Sequence, residues 1–314
     1  MPALMTHHLF GEESMERLPE GVVSSDEERA AFLMANQGPD PFFFRVRSLA
    51  GGDCHKLGQV MHRSRMSRQF EALRDGVTHL QRHDANLGRA FVLGLLSHYV
   101  LDRNAHPFVY SQQWGIQAQD PDLEDAGSQV HAVIESDLDV LMVQAKHDGA
   151  TVAEYPPAGE LVTTGRIDRV AGALISFCAL SVYGLEIGSD EYGGAVSDMQ
   201  LAYRLIEPAG SARSDAIGRV ERLFNGWSLL TSLAHRVTTE PPSDAGNLAH
   251  REWKDPFTGE ASHESFPEVF ERALADYGAC ARRFVAGEAV EAITGHVNYS
   301  GRHLSADEEF DREE

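Results

Sequence analysis

The sequence predicts an all-α protein built as a single multi-helix domain. Apolar residues recur at the three- and four-residue spacing of amphipathic or buried helices over most of the 314 residues. The alternating runs of β-branched residues that are typical of strands are hard to find. The hydrophobic fraction of 42% is sufficient for a buried core.

Seven segments have the helical spacing, and helix-breaking residues lie between them. The segments are 26–36, 66–82, 87–104, 123–146, 167–185, 216–236 and 266–285. We expect Pro107 to end the third helix and the Gly193-Gly194 pair to form a turn. The helical domain is predicted to span residues 1–303, and residues 304–314 are too charged to be buried and are predicted to form a disordered acidic tail.

Charge and composition indicate a soluble, cytoplasmic protein. The chain has 27 basic and 48 acidic residues, a formal net charge of −21, which disfavours nucleic acids and anionic membranes as partners. No secretory signal is found at the N-terminus, and the longest uncharged stretch, 170–185, is too short and polar for a transmembrane helix. The three cysteines lie far apart, so no disulfide framework is predicted.

Two histidine–carboxylate pairs lie within apolar helical segments. His98 and Asp102 are four residues apart, as are His131 and Glu135, and this spacing places both members of each pair on one face of a helix. A carboxylate buried there requires a cationic partner. That partner is either a bound metal ion or, as an alternative, a protonated histidine or Arg103 in a buried ion pair.

Five segments together resemble, in order, the bacterial zinc-dependent phospholipase C family, particularly its unsecreted members. They are THHLFGEES (6–14), NQGPDPFFF (36–44), LGQVMH (57–62), GLLSHYVLDRNAHPFVY (94–110) and HAVIESDLD (131–139). A further segment, NLAHREWKDPFTGE (247–260), is also similar to unsecreted members. The resemblance implies a metal-binding core at residues 1–145, with further helices over 160–303.

The resemblance implies two or three zinc ions and a specific set of ligands. The first site would use Asp40, His62, His98 and Asp102, and the second would use His106, His131 and Glu135. A third site would share Asp102 as a bridge and add His7 with the amino-terminal groups of the chain. Two alternatives stay open, because His55 could replace His62 and His8 could replace His7.

The function implied is zinc-dependent phosphoester hydrolysis. The substrate would be a phosphodiester such as a phospholipid or its headgroup derivative, attacked by a metal-activated water that Asp40 orients or deprotonates. Phe42 and Phe43 closely follow Asp40 in the sequence and are candidates to line a substrate cleft. The alternatives are a zinc nuclease-like phosphoesterase and a non-enzymatic helical protein stabilised by metal. The oligomeric state is not predicted.

Overall fold

The computed structural model describes residues 4–225 and 227–310. Over these residues nearly all of the regular secondary structure is helical, so the predicted all-α class is confirmed. The α-helices are α1 (Leu4–Met15), α2 (Asp26–Ala35), α3 (Gly51–Arg63), α4 (Met66–His79), α5 (Ala85–Gln119), α6 (Gly127–Lys146), α7 (Pro157–Glu160), α8 (Gly165–Tyr183), α9 (Glu191–Ile206), α10 (Ala212–Asn225), α11 (Leu229–Ser232), α12 (Phe266–Val285), α13 (Val290–Thr294) and α14 (Ala306–Phe310). Two 3₁₀ helices span Asp40–Phe44 and Pro121–Leu123, and a short antiparallel hairpin pairs β1 (Trp253–Lys254) with β2 (Ala261–Ser262).

Helix α5 forms the centre of the molecule. It is 35 residues long, and between Leu87 and Val109 most of its side chains are buried on every face. A helix that is apolar all round must be surrounded by other elements. Helices α2, α12, α6 and α4 pack around it, and α1 and α8 complete the layer. No helix in the described part of the chain is long and apolar enough to cross a membrane.

Pro107 does not end a helix, and the Gly193-Gly194 pair does not form a turn, although both were predicted to do so. Helix α5 continues through Pro107 to Gln119, although proline inside a helix costs about 3 kcal/mol. The flanking turns bury Ala105, His106, Phe108 and Val109, and this packing outweighs the local cost. The Gly193-Gly194 pair lies in the first turn of α9, where a side chain would collide with its neighbours: a Cβ at Gly193 would lie 2.8 Å from Asp168 Cγ, and one at Gly194 would lie 2.5 Å from Arg45 Cζ.

The predicted helix boundaries hold for some segments and not for others. The segment 266–285 coincides with α12, whereas 216–236 is divided into α10 and α11. Helices α1, α3 and α9 were not predicted. In α1 nearly every residue is buried, so the amphipathic spacing that identifies a surface helix is absent.

The predicted disordered tail is partly ordered. Residues 306–310 form α14, and Glu309 is buried, while residues 311–314 lie outside the described residues. The Glu309 carboxylate accepts hydrogen bonds from the backbone N–H groups of Met66 at 3.0 Å and Ser67 at 2.7 Å. These groups begin α4, and an anion there is stabilised by the unpaired N–H groups and the helix dipole. The high charge of this segment therefore does not prevent its docking.

A buried hydrogen-bonded network fixes the beginning of α1. The Asp139 carboxylate on α6 accepts hydrogen bonds from the backbone N–H groups of Met5 at 2.9 Å and Thr6 at 2.7 Å. His235 lies between two carboxylates, with Nε2 at 2.9 Å from Asp139 and Nδ1 at 2.6 Å from Glu207. Burial alone would lower the pKa of His235, but hydrogen bonds to Asp139 and Glu207 raise it to about 9.

We expect this network to stabilise the fold in a pH-dependent way. The pKa of His235 is higher in the folded state than its ordinary value of 6.5, so the stabilisation is complete below pH 6.5 and is lost as the pH rises through about 9. Replacing His235 with Gln should lower the free energy of unfolding by about 3 kcal/mol at pH 6, and by much less at pH 9.5.

Urea denaturation at both pH values measures this difference. The matched control is His79→Gln, because His79 pairs with Asp75 on the surface of α4 and its side chain is 64% exposed. The control should change stability by less than about 1 kcal/mol at either pH. A loss for His235→Gln that is the same at both pH values would contradict the assigned protonation.

Candidate metal centre

Five histidines and three carboxylates converge beside α5. They fall into three groups in which the candidate ligand atoms lie within 4.8 Å of one another. The groups are His7, Asp40 and His98; His62, His98 and Asp102; and His106, His131 and Glu135. All eight ligands predicted from the sequence are members of these groups. They are contributed by α1, the first 3₁₀ helix, α3, α5 and α6.

Asp102 lies at the centre of this cluster. Its two carboxylate oxygens are 3.1 Å from His7 Nε2, 3.3 Å from His98 Nε2, 3.7 Å from His106 Nδ1 and 4.0 Å from His62 Nε2. These histidines come from three different helices. Asp102 is therefore in the position that a ligand shared between adjacent sites would occupy.

The remaining two carboxylates lie on either side of Asp102. Asp40 Oδ1 is 3.1 Å from His62 Nε2. Glu135 Oε1 is 3.1 Å from His131 Nε2, one helical turn away on α6, and 3.6 Å from His106 Nε2. The cluster thus contains three buried carboxylates, each next to at least one imidazole.

Four of the histidines are oriented by hydrogen bonds at Nδ1. A carbonyl or amide oxygen can only accept, so each Nδ1 carries a proton, and each Nε2 is left for the groups of the cluster. The acceptors are Asn36 O for His98 at 2.8 Å, Gly58 O for His62 at 2.6 Å, Tyr299 O for His106 at 2.7 Å and Gln113 Oε1 for His131 at 2.9 Å. This arrangement is the one that metal-binding histidines usually adopt.

Several atoms that face the centre of the cluster lack hydrogen bonds. Among the described residues, His62 Nε2, His98 Nε2, Asp40 Oδ1 and Glu135 Oε2 are buried and have no hydrogen-bond partner. His62 Nε2 and Asp40 Oδ1 are close together, but the geometry between them is not that of a hydrogen bond. Lone pairs on imidazole nitrogens and carboxylate oxygens that converge in this way are the donor set of zinc, so the residues fit zinc ions.

The alternative partner for Asp102 is engaged elsewhere. The Arg103 guanidinium forms a bidentate pair with Asp276 on α12, with Nη2 at 3.0 Å and 2.9 Å from the two carboxylate oxygens. Arg103 therefore does not neutralise Asp102. The two remaining sources of positive charge are protonated histidines and bound cations.

Burial and charge act in opposite directions on the titratable groups. Burial raises the pKa of Asp102, but His106 and His98 lower it well below its usual range. Burial likewise opposes ionisation of Glu135, and His131 lowers its pKa. The pKa values of His7 and His131 are lowered, mainly by burial, which favours the neutral imidazole that binds a metal. Burial also acts to lower the pKa values of His98 and His106, but Asp102 raises the pKa of His98, and Asp102 with Glu135 raises that of His106 to about 9.

The structure distinguishes between the alternatives left open by the sequence. His55 is exposed, eight residues before the end of α3, whereas His62 is next to Asp40. His8 faces Glu160 on α7 at 3.1 Å and does not contact Asp102. The geometry therefore favours His62 and His7. The amino-terminal groups expected at the third site belong to Met1, which lies outside the described residues.

A cleft of about 350 Å³ opens above the cluster. Its lining includes His62, His106 and His131 from the cluster, together with Phe43 and Tyr110. Residues far along the chain complete it, namely Leu229, Tyr299 and Ser300. The cleft therefore brings solvent and small molecules to the edge of the cluster.

One of the two predicted substrate-binding phenylalanines does not line this cleft. Phe43 does so, with its ring 5.6 Å from that of His62. Phe42 is 1% exposed and packs against Tyr192 at 5.5 Å. Neighbouring residues of a helical turn point in different directions, which explains why only one of them reaches the cleft.

A glycine permits the close approach of the loop before Asp40 to α5. Gly38 has a φ of +56°, and a Cβ there would lie 2.3 Å from the His98 ring. Any side chain would displace the imidazole. This contact fixes the position of Asp40 relative to His98.

A comparison with protein families identifies the chain. The family model for zinc dependent phospholipase C matches residues 6–170, just over half of the chain. The chain belongs to the zinc-dependent phospholipase C family. No curated protein and no solved structure matches it.

The match to the zinc-dependent phospholipase C family covers all eight candidate ligands but not the whole cleft. Tyr299, Ser300 and Leu229 lie beyond residue 170. Sequence reasoning missed these residues and also the acceptors Gln113 and Gly58. Gly58 precedes His62 by one helical turn and could be found from spacing, whereas Tyr299 is 193 residues from His106 and gives no local signal.

We expect Asp102 to be the most sensitive ligand, because it approaches four histidines. In Asp102→Ala, the zinc bound per chain should fall by about two equivalents, whereas His131→Ala should lose about one. Elemental analysis of purified, folded protein measures both losses. Asp75→Ala, which removes an exposed carboxylate from α4, is the control and should retain the wild-type zinc content. Wild-type stoichiometry in folded Asp102→Ala would contradict the shared role.

Proposed function

We propose that this protein is a zinc-dependent phosphodiesterase that hydrolyses a small substrate, either a phospholipid headgroup derivative or a phospholipid, by attack of water on phosphorus. One observation carries the proposal: eight side chains of the types that bind zinc lie together beside an open cleft, which three of them line, in a member of the zinc-dependent phospholipase C family. All eight are proposed as zinc ligands, with Asp102 shared between sites.

When bound, zinc ions supply Lewis acidity, which lowers the pKa of water and offsets negative charge on the phosphate oxygens. The protein chain holds the imidazole rings in fixed orientations. Hydrogen bonds at Nδ1 hold the rings of His62, His106 and His131 with their Nε2 atoms directed at the carboxylates of the cluster. Fixed donors of this kind do not need to reorganise during the reaction.

Asp40 is proposed both as a ligand and as the residue that orients or deprotonates the attacking water. Burial raises the pKa of Asp40, but positively charged groups around it, His62 and His98 among them, lower it overall, so the carboxylate is ionised at neutral pH. Its Oδ1 atom has no hydrogen-bond partner among the described residues and can accept a proton. An ionised carboxylate within reach of water is the requirement for a general base.

The open cleft favours an enzyme over a protein that binds metal only for stability. A purely structural zinc site is closed by four protein ligands, whereas a catalytic site leaves a position for water or substrate. Here three cluster histidines line the wall of a cleft of about 350 Å³, a volume suited to a small ligand.

A second, larger cleft in the described part of the chain does not serve this function. It has a volume of about 700 Å³ and lies between the C-terminal half of α1 and the beginning of α2, with no cluster residue in its lining. Five carboxylates line it: Glu12, Glu13, Glu16, Glu20 and Asp26. Such a surface repels a phosphate.

We expect phosphodiesterase activity to depend on Asp40. The Asp40→Asn variant retains one ligand oxygen but is a much weaker base, so kcat should fall by about 100-fold or more while bound zinc stays close to the wild-type amount. Hydrolysis of bis(p-nitrophenyl) phosphate, measured with zinc content, tests this. The exposed Asp75→Asn variant is the control. Absence of turnover by fully zinc-loaded wild-type protein would refute the enzymatic proposal in favour of structural metal.

We also expect small phosphodiesters to be hydrolysed faster than nucleic-acid polymers. The net charge of −21 repels a polyanion more strongly than a substrate with a single phosphate. Initial rates with bis(p-nitrophenyl) phosphate and with single-stranded DNA should be compared at equal phosphodiester concentration and physiological salt. Faster cleavage of the DNA would instead support the nuclease alternative.

A further inference from the structure

The cleft above the cluster differs in charge from the rest of the protein. The chain contains 48 acidic residues among 314, so a lining of fourteen residues would contain about two of them by chance. The lining of this cleft contains none. Its only permanently charged residue is Arg63. The contrast with the 700 Å³ cleft and its five carboxylates shows that this is a local property.

Arg63 occupies the rim of the cleft next to a proposed ligand. It is the last residue of α3 and directly follows His62. It is exposed, and among residues 4–225 and 227–310 it forms no ion pair. Its backbone carbonyl accepts a hydrogen bond of 3.5 Å from the Asn298 side chain, which connects the end of α3 to the segment that supplies Tyr299 and Ser300.

The lining of the cleft also offers neutral hydrogen-bonding groups. Tyr110 and Ser300 line the same cleft as Arg63, so their hydroxyl groups border the space that the guanidinium borders. Ser128 and Gln59 also line the cleft. The site therefore combines one guanidinium with hydroxyl and amide groups.

Two of the aromatic residues that line the cleft, Phe43 and Tyr299, pack against imidazole rings. The Phe43 ring contacts the rings of His55 at 5.2 Å and His62 at 5.6 Å, and the Tyr299 ring lies 4.8 Å from His62. Recognition of a quaternary ammonium requires free aromatic faces or a carboxylate. A cationic headgroup would also be repelled by Arg63.

We propose that the cleft selects phosphodiesters that carry a second anionic group close to the scissile phosphate, and that Arg63 is the residue that determines this specificity by binding a carboxylate or phosphate oxygen of the headgroup. This inference rests on the proposed phosphodiesterase function. A guanidinium binds such oxyanions with two parallel hydrogen bonds, which makes it more selective than a lysine in the same place.

The test uses full-length, zinc-loaded protein and three p-nitrophenyl phosphodiesters that differ only in the second alcohol. The alcohols are glycerate, glycerol and choline, which are anionic, neutral and cationic. For the wild type, kcat/KM should decrease in that order, with a ratio of about tenfold between glycerate and choline esters, as expected for one partly exposed charge. Arg63→Ala should reduce this ratio to nearly one, Arg63→Glu should invert it, and Arg63→Lys should retain part of it.

Two controls separate specificity from damage to the metal centre. The Arg82→Glu variant makes the same charge change at an exposed position that does not line the cleft, and its substrate order should be that of the wild type. All Arg63 variants should bind as much zinc as the wild type. A wild-type preference for the choline ester, or an unchanged order in zinc-replete Arg63→Glu, would overturn the inference.

Binding measurements distinguish failure of this inference from failure of the proposed function. If zinc-loaded protein hydrolyses none of the three esters, the phosphodiesterase proposal fails, and calorimetry with 3-phosphoglycerate and phosphocholine then tests the inference alone. Tighter binding of 3-phosphoglycerate to the wild type, lost in Arg63→Glu, would support it. Equal affinities, or tighter binding of phosphocholine, would reject it.

Discussion

The charge of three buried carboxylates is the constraint on which the structure of the site depends. Asp40, Asp102 and Glu135 are each at most 5% exposed. An isolated charge at such a depth costs several kcal/mol unless it is compensated. Compensation requires elements that are distant in the chain to come together, because the imidazoles around Asp102 belong to α1, α3 and α5. The long central helix, the glycine beside His98 and the buried network at the beginning of α1 all keep these elements at the required distances.

Much of the site could be predicted because its ligands obey local rules. His98 with Asp102, and His131 with Glu135, are spaced by four residues on apolar helices, and this spacing alone places them together. The family resemblance added Asp40, His62, His106 and His7, whose proximity depends on how helices pack. Tyr299 and Ser300 could not be found, since no periodicity connects a residue to a partner almost 200 positions away.

The errors in the predicted fold also have a common cause. Rules for proline, glycine and charged segments describe the local free-energy cost of a conformation. The structure is decided by the free energy of the whole fold, to which packing and hydrogen bonds also contribute. Pro107 remains within a helix because the surrounding turns are buried, and Glu309 becomes buried because it pairs with free N–H groups of α4. The segment predicted best, α12, is the one in which local spacing and global packing agree, with one face buried against α5 and the other exposed.

The carbonyl of Tyr299 that orients His106 has a consequence for the order of events during biosynthesis. A ribosome releases the chain from its N-terminus, so all eight candidate ligands emerge long before residue 299. Until that residue folds back against α5, His106 lacks its hydrogen-bond acceptor and one wall of the cleft is missing. A nascent chain can therefore collect its candidate ligands early, yet the finished geometry is reached only after residue 299 has emerged and folded back.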